Sequence, residues 1–309
     1  MIQTRNGRNP ELPAQPVVER LSSRTVAYLQ QPGGWFLNNA GWVTGTEQTL
    51  LVDTCATEER TRQLLAAFRD DTGTGAPRTV VLTHAHGDHA NGAGLLVRAG
   101  STVLATEPAA REIAAGPHTY PQVFAYDGWG DITPPESLTT LTGPTSVDLG
   151  DGHTAELVPV PERAHTAGDL VVWLPGEGVV FTGDLLFVGV TPLAVHGSIR
   201  GWLAALDWLA GFEAAQLVPG HGPVCTGDEA ITAVRGYLQW LLDVTAEDSP
   251  DFAALHEQAN GRWPDWLDGE RHAVNLRLAH AEVHGYSFDL PAAMYALVRA
   301  AGGPLALDL

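Results

Sequence analysis

Thr83-His84-Ala85-His86-Gly87-Asp88-His89 packs three imidazoles and one carboxylate into six residues, 84–89. The run follows an apolar stretch, 79–82, that reads as a short buried strand. It opens residues 88–99, whose spacing reads as a helix. A tight turn at the end of a strand aims alternate side chains at one point. His84 and His86 then face one metal ion, while Asp88 and His89, at the helix start, face a second. Imidazole is the commonest zinc ligand, and carboxylate oxygen also suits zinc. A chance surface cluster would be the better reading of one histidine, but not of His-x-His-x-Asp-His at a strand-to-helix junction.

Three further candidates lie downstream, each expected at the end of a strand. They are His165 in Arg163-Ala164-His165-Thr166, Asp184 in Phe181-Thr182-Gly183-Asp184, and His221 in Pro219-Gly220-His221-Gly222. Glycine beside a ligand lets the backbone turn tightly and approach an ion. Alone, each is weak, and their order gives them weight. Around them, strand-like runs at 25–29, 35–44, 49–52, 102–105, 155–160, 169–174, 178–181 and 216–218 alternate with helical patterns at 58–69, 198–209 and 228–242. This alternation predicts an α/β chain. Residues 116–146, rich in Pro, Gly and Thr, read as a long loop. Residues 1–17 read as a loose arm, 18–250 as the main domain, and 251–309 as a C-terminal helical segment packed on it.

Taken together, His-x-His-x-Asp-His, then His165, then Gly183-Asp184, then Gly220-His221-Gly222 resemble the signature of the metallo-β-lactamase-fold hydrolases over about residues 18–225. The resemblance implies an αββα sandwich with two zinc ions at one edge. It assigns His84, His86 and His165 to the first ion, Asp88, His89 and His221 to the second, and Asp184 as a bridge. Asp53, after Leu50-Leu51-Val52, matches an aspartate that steadies the ligand loop, although a turn or helix-cap role fits it almost as well. A bridging Asp instead of Cys resembles the glyoxalase II and thioesterase-like branch. Gly34-Trp35-Phe36-Leu37-Asn38-Asn39-Ala40-Gly41, Val52-Asp53-Thr54-Cys55, Asp127-Gly128-Trp129-Gly130-Asp131 and Thr191-Pro192 through Gly197-Ser198 look like the second-ring cyclase/thioesterases of bacterial aromatic polyketide pathways.

That resemblance implies a substrate held as an acyl thioester, free or on an acyl carrier protein, with Asp88 orienting the nucleophile and taking its proton. A thiolate, pKa ~8.5, leaves with little protonation, which suits a chain lacking an evident general acid. Trp35, Phe36 and Trp129 are expected to border the metals and stack on flat rings, or else to pack the loop bases. His280, His284, Trp263 and Trp266 are candidates to close one side of the pocket. Asn38 and Asn39 are expected to pin a hairpin, and Cys55 to be a small buried apolar residue.

Composition narrows the field. The 309 residues carry 17 cations, all Arg, against 36 acids, for a net charge of −19. Absence of Lys removes Schiff-base chemistry and a P-loop lysine. The acidic balance disfavours nucleic acid. Two cysteines make no disulfide framework and fit a reducing cytoplasmic setting. No apolar run reaches the ~18 residues of a membrane span, and neither a signal peptide nor a membrane partner is expected. A monomer or homodimer is equally compatible. Three functions stay open: a dinuclear zinc thioester hydrolase, with or without cyclisation; a mononuclear iron oxidoreductase of the persulfide dioxygenase type; and a binding module with a vestigial site.

Overall fold

A computed structural model describes residues 15–309. In chain order the elements are β1 (Val17–Arg20), β2 (Thr25–Leu29), β3 (Asn39–Thr44), β4 (Thr49–Val52), α1 (Glu58–Thr72), β5 (Thr79–Val81), α2 (Gly87–Ala90), α3 (Ala93–Arg98), β6 (Thr102–Thr106), α4 (Glu107–Ala115), β7 (Phe124–Ala125) and β8 (Thr139–Leu141). There follow β9 (Thr145–Gly150), β10 (His153–Pro159), β11 (Leu170–Leu174), β12 (Val179–Phe187), α5 (Ile199–Ala210), β13 (Gln216–His221), α6 (Glu229–Val244), α7 (Phe252–Arg262), α8 (Arg271–His284), α9 (Leu290–Ala300) and β14 (Leu305–Ala306).

Two sheets form. One has the order β1-β2-β3-β4-β5-β6-β8 and the other β13-β12-β11-β10-β9. The two-residue period of the strands decides how they stack. Along β4, Leu50 and Val52 face the opposite sheet while Leu51 faces a helical layer. On the second sheet, Leu170, Val172 and Leu174 of β11 and Val179 and Phe181 of β12 point between the sheets, and Val171 and Val180 point the other way. Each sheet is therefore apolar on both faces and must be covered twice. Helices α1, α3 and α4 cover the first sheet, and α5, α6 and α8 the second. The result is the expected αββα sandwich. Burying each large aliphatic side chain contributes roughly 1.5–3 kcal/mol.

Local signals set the helix ends. The Thr57 side chain accepts from the N–H of Arg60 at the start of α1, and Gly73, at φ 68°, ends it. Ser198 caps α5 by accepting from Gly201 N–H.

The sequence reading departs from the structure at instructive places. Residues 35–38 are not strand: Phe36 adopts φ 59°, which breaks an extended run and leaves β3 to begin at Asn39. Residues 88–99 form two short helices, not one, interrupted at Asn91-Gly92, where Asn91 Nδ2 donates to Ala56 O. The 116–146 stretch carries β7, β8 and the first residues of β9. Residues 1–14 of the expected arm lie outside the described residues, and Val17 opens β1. Among the described residues no helix is long and apolar enough to cross a membrane.

Candidate metal centre

The strands deliver the seven expected residues to one end of the sandwich. β5 stops at Val81, and Thr83–His89 turn over its end. His165 precedes β11 in a turn pinned by Asp169, whose carboxylate accepts from Thr166 N–H at 2.8 Å and Thr166 Oγ1 at 2.5 Å. Asp184 lies inside β12 and not at a strand end, because β12 runs on to Phe187. His221 closes β13. Two glycines make this approach possible. Gly183 sits at φ 52°, and a Cβ there would come within 2.8 Å of Thr83. A Cβ on Gly220 would fall 1.8 Å from Asp184 Oδ1.

The donors form two buried groups, His84/His86/His165/Asp184 and Asp88/His89/His221, each able to hold one ion. Asp184 stands between them. Its Oδ2 is 3.2 Å from His165 Nε2 and 3.5 Å from His221 Nε2, and its Oδ1 is 3.1 Å from His89 Nε2. Asp88 Oδ2 is 3.2 Å from His221 Nε2. Ligands bound tetrahedrally at zinc distances lie about 3.3 Å apart, so the spacings fit. His84 Nε2, His89 Nε2 and Asp184 Oδ1 are buried and make no hydrogen bond. Such atoms are costly to bury unless they ligate.

The outward ring nitrogens explain why the inward ones are free. His89 Nδ1 donates to Asp53 Oδ2 at 2.8 Å, His221 Nδ1 donates to Gly33 O at 2.8 Å, and His84 Nδ1 lies 3.1 Å from Thr83 Oγ1. An imidazole whose outer nitrogen holds the proton presents a lone pair inward. Asp53, at φ 61°, also accepts from Thr83 N–H at 2.7 Å and Thr83 Oγ1 at 2.8 Å. It thus supports both halves of the ligand loop. Asn39 Nδ2 donates to Pro219 O and Gly222 O, tying β3 across to the His221 turn in the other sheet, while Asn38 Nδ2 donates to Thr54 O.

Charge in the site is unbalanced without a cation. Burial lowers His84, and His89 lowers it further, well below the usual histidine value. Burial also pushes His221 down, but Asp184 and Asp88 outweigh it and lift it to about 9. His89 likewise rises, against the burial penalty, through Asp184, Asp53 and Asp88. Burial pushes the Asp88 carboxyl up, yet His89 and His221 hold it below the usual carboxylate range. Three buried carboxylates thus draw positive charge into the site, and divalent ions supply it in the form this donor set prefers.

A cavity of about 530 Å³ opens onto Asp88, Asp184 and His221. Its walls are mostly apolar: Trp35, Phe36, Phe124, Phe187, Leu193, Val195, and from α9 Leu290, Met294 and Val298. Trp35 and Phe36 border it as expected. Trp129 is not among its lining residues. It stands behind Phe36, ring centroids 4.9 Å apart, and its indole N–H donates to Tyr126 O. Nor do His280, His284, Trp263 and Trp266 line the cavity. Trp263 packs edge-on against Trp240 and Tyr237, and His280 and His284 contact Tyr286 near the surface. Cys55 is fully buried, and burial pushes its thiol up to about 12.

Sequence reasoning missed Tyr120, His196, Arg271 and all of the α9 wall. Arg271 lies with its guanidinium 4.0 Å from the Trp35 ring centroid, donates to Thr191 O and pairs with Asp268 at 3.0 Å, while Trp35 Nε1 donates to Glu270. The Arg271 contacts with Thr191 and Trp35 run to residues 80 and 236 positions away, so no local motif announces its place in the cavity.

An αββα sandwich with two His/Asp groups facing each other at one end defines a metal-binding class. The chain belongs to the Metallo-beta-lactamase superfamily, whose family model matches residues 33–221. Among curated relatives, it is 32% identical over 90 residues to the Beta-lactamase-like protein 2 homolog of Caenorhabditis elegans. That match spans 29% of this chain and 28% of the relative's length. Solved structures share the fold. The metallo-β-lactamase from Pontibacter korlensis aligns at TM-score 0.60 with 23% identity, covering 73% of this chain and 99% of that one. The metallo-β-lactamase FIM-1 from Pseudomonas aeruginosa, in a mono-zinc form, aligns at TM-score 0.57 with 24% identity, covering 73% and 95%.

Proposed function

We propose that the chain is a dinuclear zinc hydrolase of thioesters carrying a bulky apolar acyl group, with second-ring closure of an aromatic polyketide as the form its loop motifs favour. The observation that carries this reading is the 530 Å³ aromatic-walled cavity leading to Asp88 and Asp184. His84, His86 and His165 would hold one ion, Asp88, His89 and His221 the other, with Asp184 shared. When bound, two divalent ions supply Lewis acidity and a water of lowered pKa.

The protein's own groups do the rest. Asp88 lines the cavity beside His221, where its carboxylate oxygens would accept a hydrogen bond from the attacking water, orient it and receive its proton. Trp35, Phe36 and Phe124 meet edge to face, with centroids 4.9–5.0 Å apart, and offer a rigid wall to flat rings. A thiolate departs without a strong acid, which matches a chain with no lysine.

The rival readings fit less well. A glutathione thioester brings two carboxylates, but Arg271, the one guanidinium lining the cavity among the described residues, is already paired with Asp268. A mononuclear iron dioxygenase leaves the second complete group, Asp88/His89/His221, without a role. The proposal extends to a cytosolic setting, which two unbridged cysteines suit, and to a carrier-bound or free acyl substrate met by a monomer or homodimer. The test is metal analysis of the purified protein, followed by a panel of acyl-CoA, acyl-carrier and glutathione thioesters. Two zinc per chain and preference for a large aromatic acyl group are expected. One iron with oxygen consumption, or no turnover of any thioester by fully loaded protein, would overturn the reading.

A further inference from the structure

His196 belongs to none of the expected ligand positions, yet it touches one of them. Its Nδ1 lies 2.8 Å from His86 Nε2. The other nitrogen of His86, Nδ1, lies 2.8 Å from His165 Nε2, which is itself 3.2 Å from Asp184 Oδ2. His86 therefore turns Nδ1 toward the ligand group and Nε2 away from it. A ligating nitrogen needs its lone pair, and a neutral imidazole carries one proton. The His86 proton must then sit on Nε2, where only an acceptor can face it at this distance. His196 Nδ1 is that acceptor.

The geometry points to His196 as a positioning residue that locks His86 in its Nε2–H tautomer and so reserves Nδ1 for the metal. This rests on the metal-centre reading given above. It also resolves an asymmetry among the five histidines. The outer nitrogens of His89 and His221 meet a carboxylate and a backbone carbonyl, that of His84 meets a hydroxyl, and that of His165 makes no hydrogen bond. Only His86 relies on a second imidazole.

The structure holds His196 firmly enough for this task. Its carbonyl accepts from Arg163 Nε at 3.1 Å and from Nη2 at 2.7 Å. Its ring lies nearly parallel to Tyr120, with an interplanar angle of 28° and centroids 6.2 Å apart. The chain leading to it is bound to α8, where Asn275 accepts from Ala194 N–H at 2.9 Å and donates to Pro192 O at 2.7 Å. Helix α8 lies beyond the residues that match the family model. It reaches His86 through this segment and its imidazole.

Two substitutions test the role, read by metal affinity and not by turnover. His196→Phe keeps a ring for packing and removes the acceptor. His196→Asn restores an oxygen near the Nδ1 position. Zinc is titrated against a chromophoric chelator, and cobalt-loaded protein gives the ligand-field spectrum of each site. Loss of an outer partner of a ligating histidine typically costs 10–100-fold in affinity. The expected result is at least a ~10-fold loss at one of two sites in His196→Phe, a changed cobalt spectrum, and recovery of most of the loss in His196→Asn. Wild-type affinity and spectrum in His196→Phe would overturn the proposal, as would an equal loss in both variants, which would mark packing alone. If His196→Phe does not fold by circular dichroism, His196→Asn decides by itself: near-wild-type affinity supports the role, and a loss beyond ~10-fold refutes it. Wild-type protein that takes up no divalent ion would refute the metal centre itself, a separate failure that removes the role of His196 with it.

Discussion

Replacing Asp53 by Asn is the most informative single change, because it removes one negative charge and alters hydrogen-bond polarity without changing shape. The side chain keeps its size, and Asn tolerates the φ of 61° at least as well as Asp. Asp53 is 2% exposed and accepts three hydrogen bonds, from Thr83 N–H, Thr83 Oγ1 and His89 Nδ1, at 2.7–2.8 Å. Asn offers one acceptor oxygen and one NH₂. The backbone N–H of Thr83 cannot reverse, so the oxygen must stay there. The NH₂ then faces Thr83 Oγ1, which rotates to accept, and His89 Nδ1, which accepts only by moving its proton to Nε2. That is the nitrogen 3.1 Å from Asp184 Oδ1, and protonating it removes a ligand. A hydrogen bond to a charged group contributes about 1.5–3 kcal/mol, which converts to roughly 10- to 100-fold in affinity at the Asp88/His89/His221 group. Zinc competition against a chelator reads this directly, and thermal melts confirm that the fold survives. An Asp53→Asn variant that binds two zinc per chain as tightly as wild type would refute the argument that Asp53 sets the His89 tautomer.

Other outcomes follow from the same geometry. Asp184→Ala strips one carboxylate from between four imidazoles; elemental analysis should show loss of metal and turnover should vanish, and retention of two ions would exclude the bridge. Phe36→Ala opens the cavity wall, so KM for a large aromatic acyl thioester should rise about 10-fold or more, the loss of about 1.4 kcal/mol or more expected when a buried aromatic goes, while an acetyl thioester changes little. Trp129→Ala should follow the same trend more weakly, through Phe36, and equal effects on both substrates would detach these rings from substrate. Stability of the metal-free protein should depend on pH through His221. Its folded-state value, about 9, lies above the ordinary 6.5. The stabilisation is thus complete below about 6.5 and lost as pH rises through about 9, up to roughly 3 kcal/mol. Thermal midpoints of chelated protein should fall over that window; a flat profile from about pH 6 to about 9.5 would remove the His221–Asp184 interaction from the account.

Legibility tracked the range of the interactions concerned. The seven donors were readable because each sits in a short motif whose neighbours, a glycine or an apolar strand, are fixed by backbone requirements within a few residues. The α/β alternation was readable because strands such as β2, TVAYL, are apolar enough to be buried throughout, whereas the sandwich arrangement came from the family resemblance alone. The continuous helix expected at 88–99 failed because Asn91 is recruited by Ala56 O, a tertiary demand that overrides local spacing. Helix α4 escaped notice although Thr106 caps it and Pro108 stands in its first turn, since its apolar face is only Ala109, Ala110 and Ile113. For Trp129 the sequence leaves two places open, bordering the metals or packing a loop base, because it does not say which of two touching aromatic rings stands in front. Arg271 and α9 were unreadable for a different reason: the cavity residues they face, Trp35, Phe36 and Val195, lie far away along the chain.

Every donor of the metal groups precedes residue 222, whereas Leu290, Pro291, Met294, Tyr295 and Val298 of the outer wall all follow residue 289. One part of the cavity wall is thereby written on a stretch of polypeptide separate from the donors, while Trp35, Phe36 and Phe187 share the donors' own stretch. Remodelling α9 would reshape that wall while the donor groups stay as they are, so a library confined to α9 is the natural place to alter what the cavity admits.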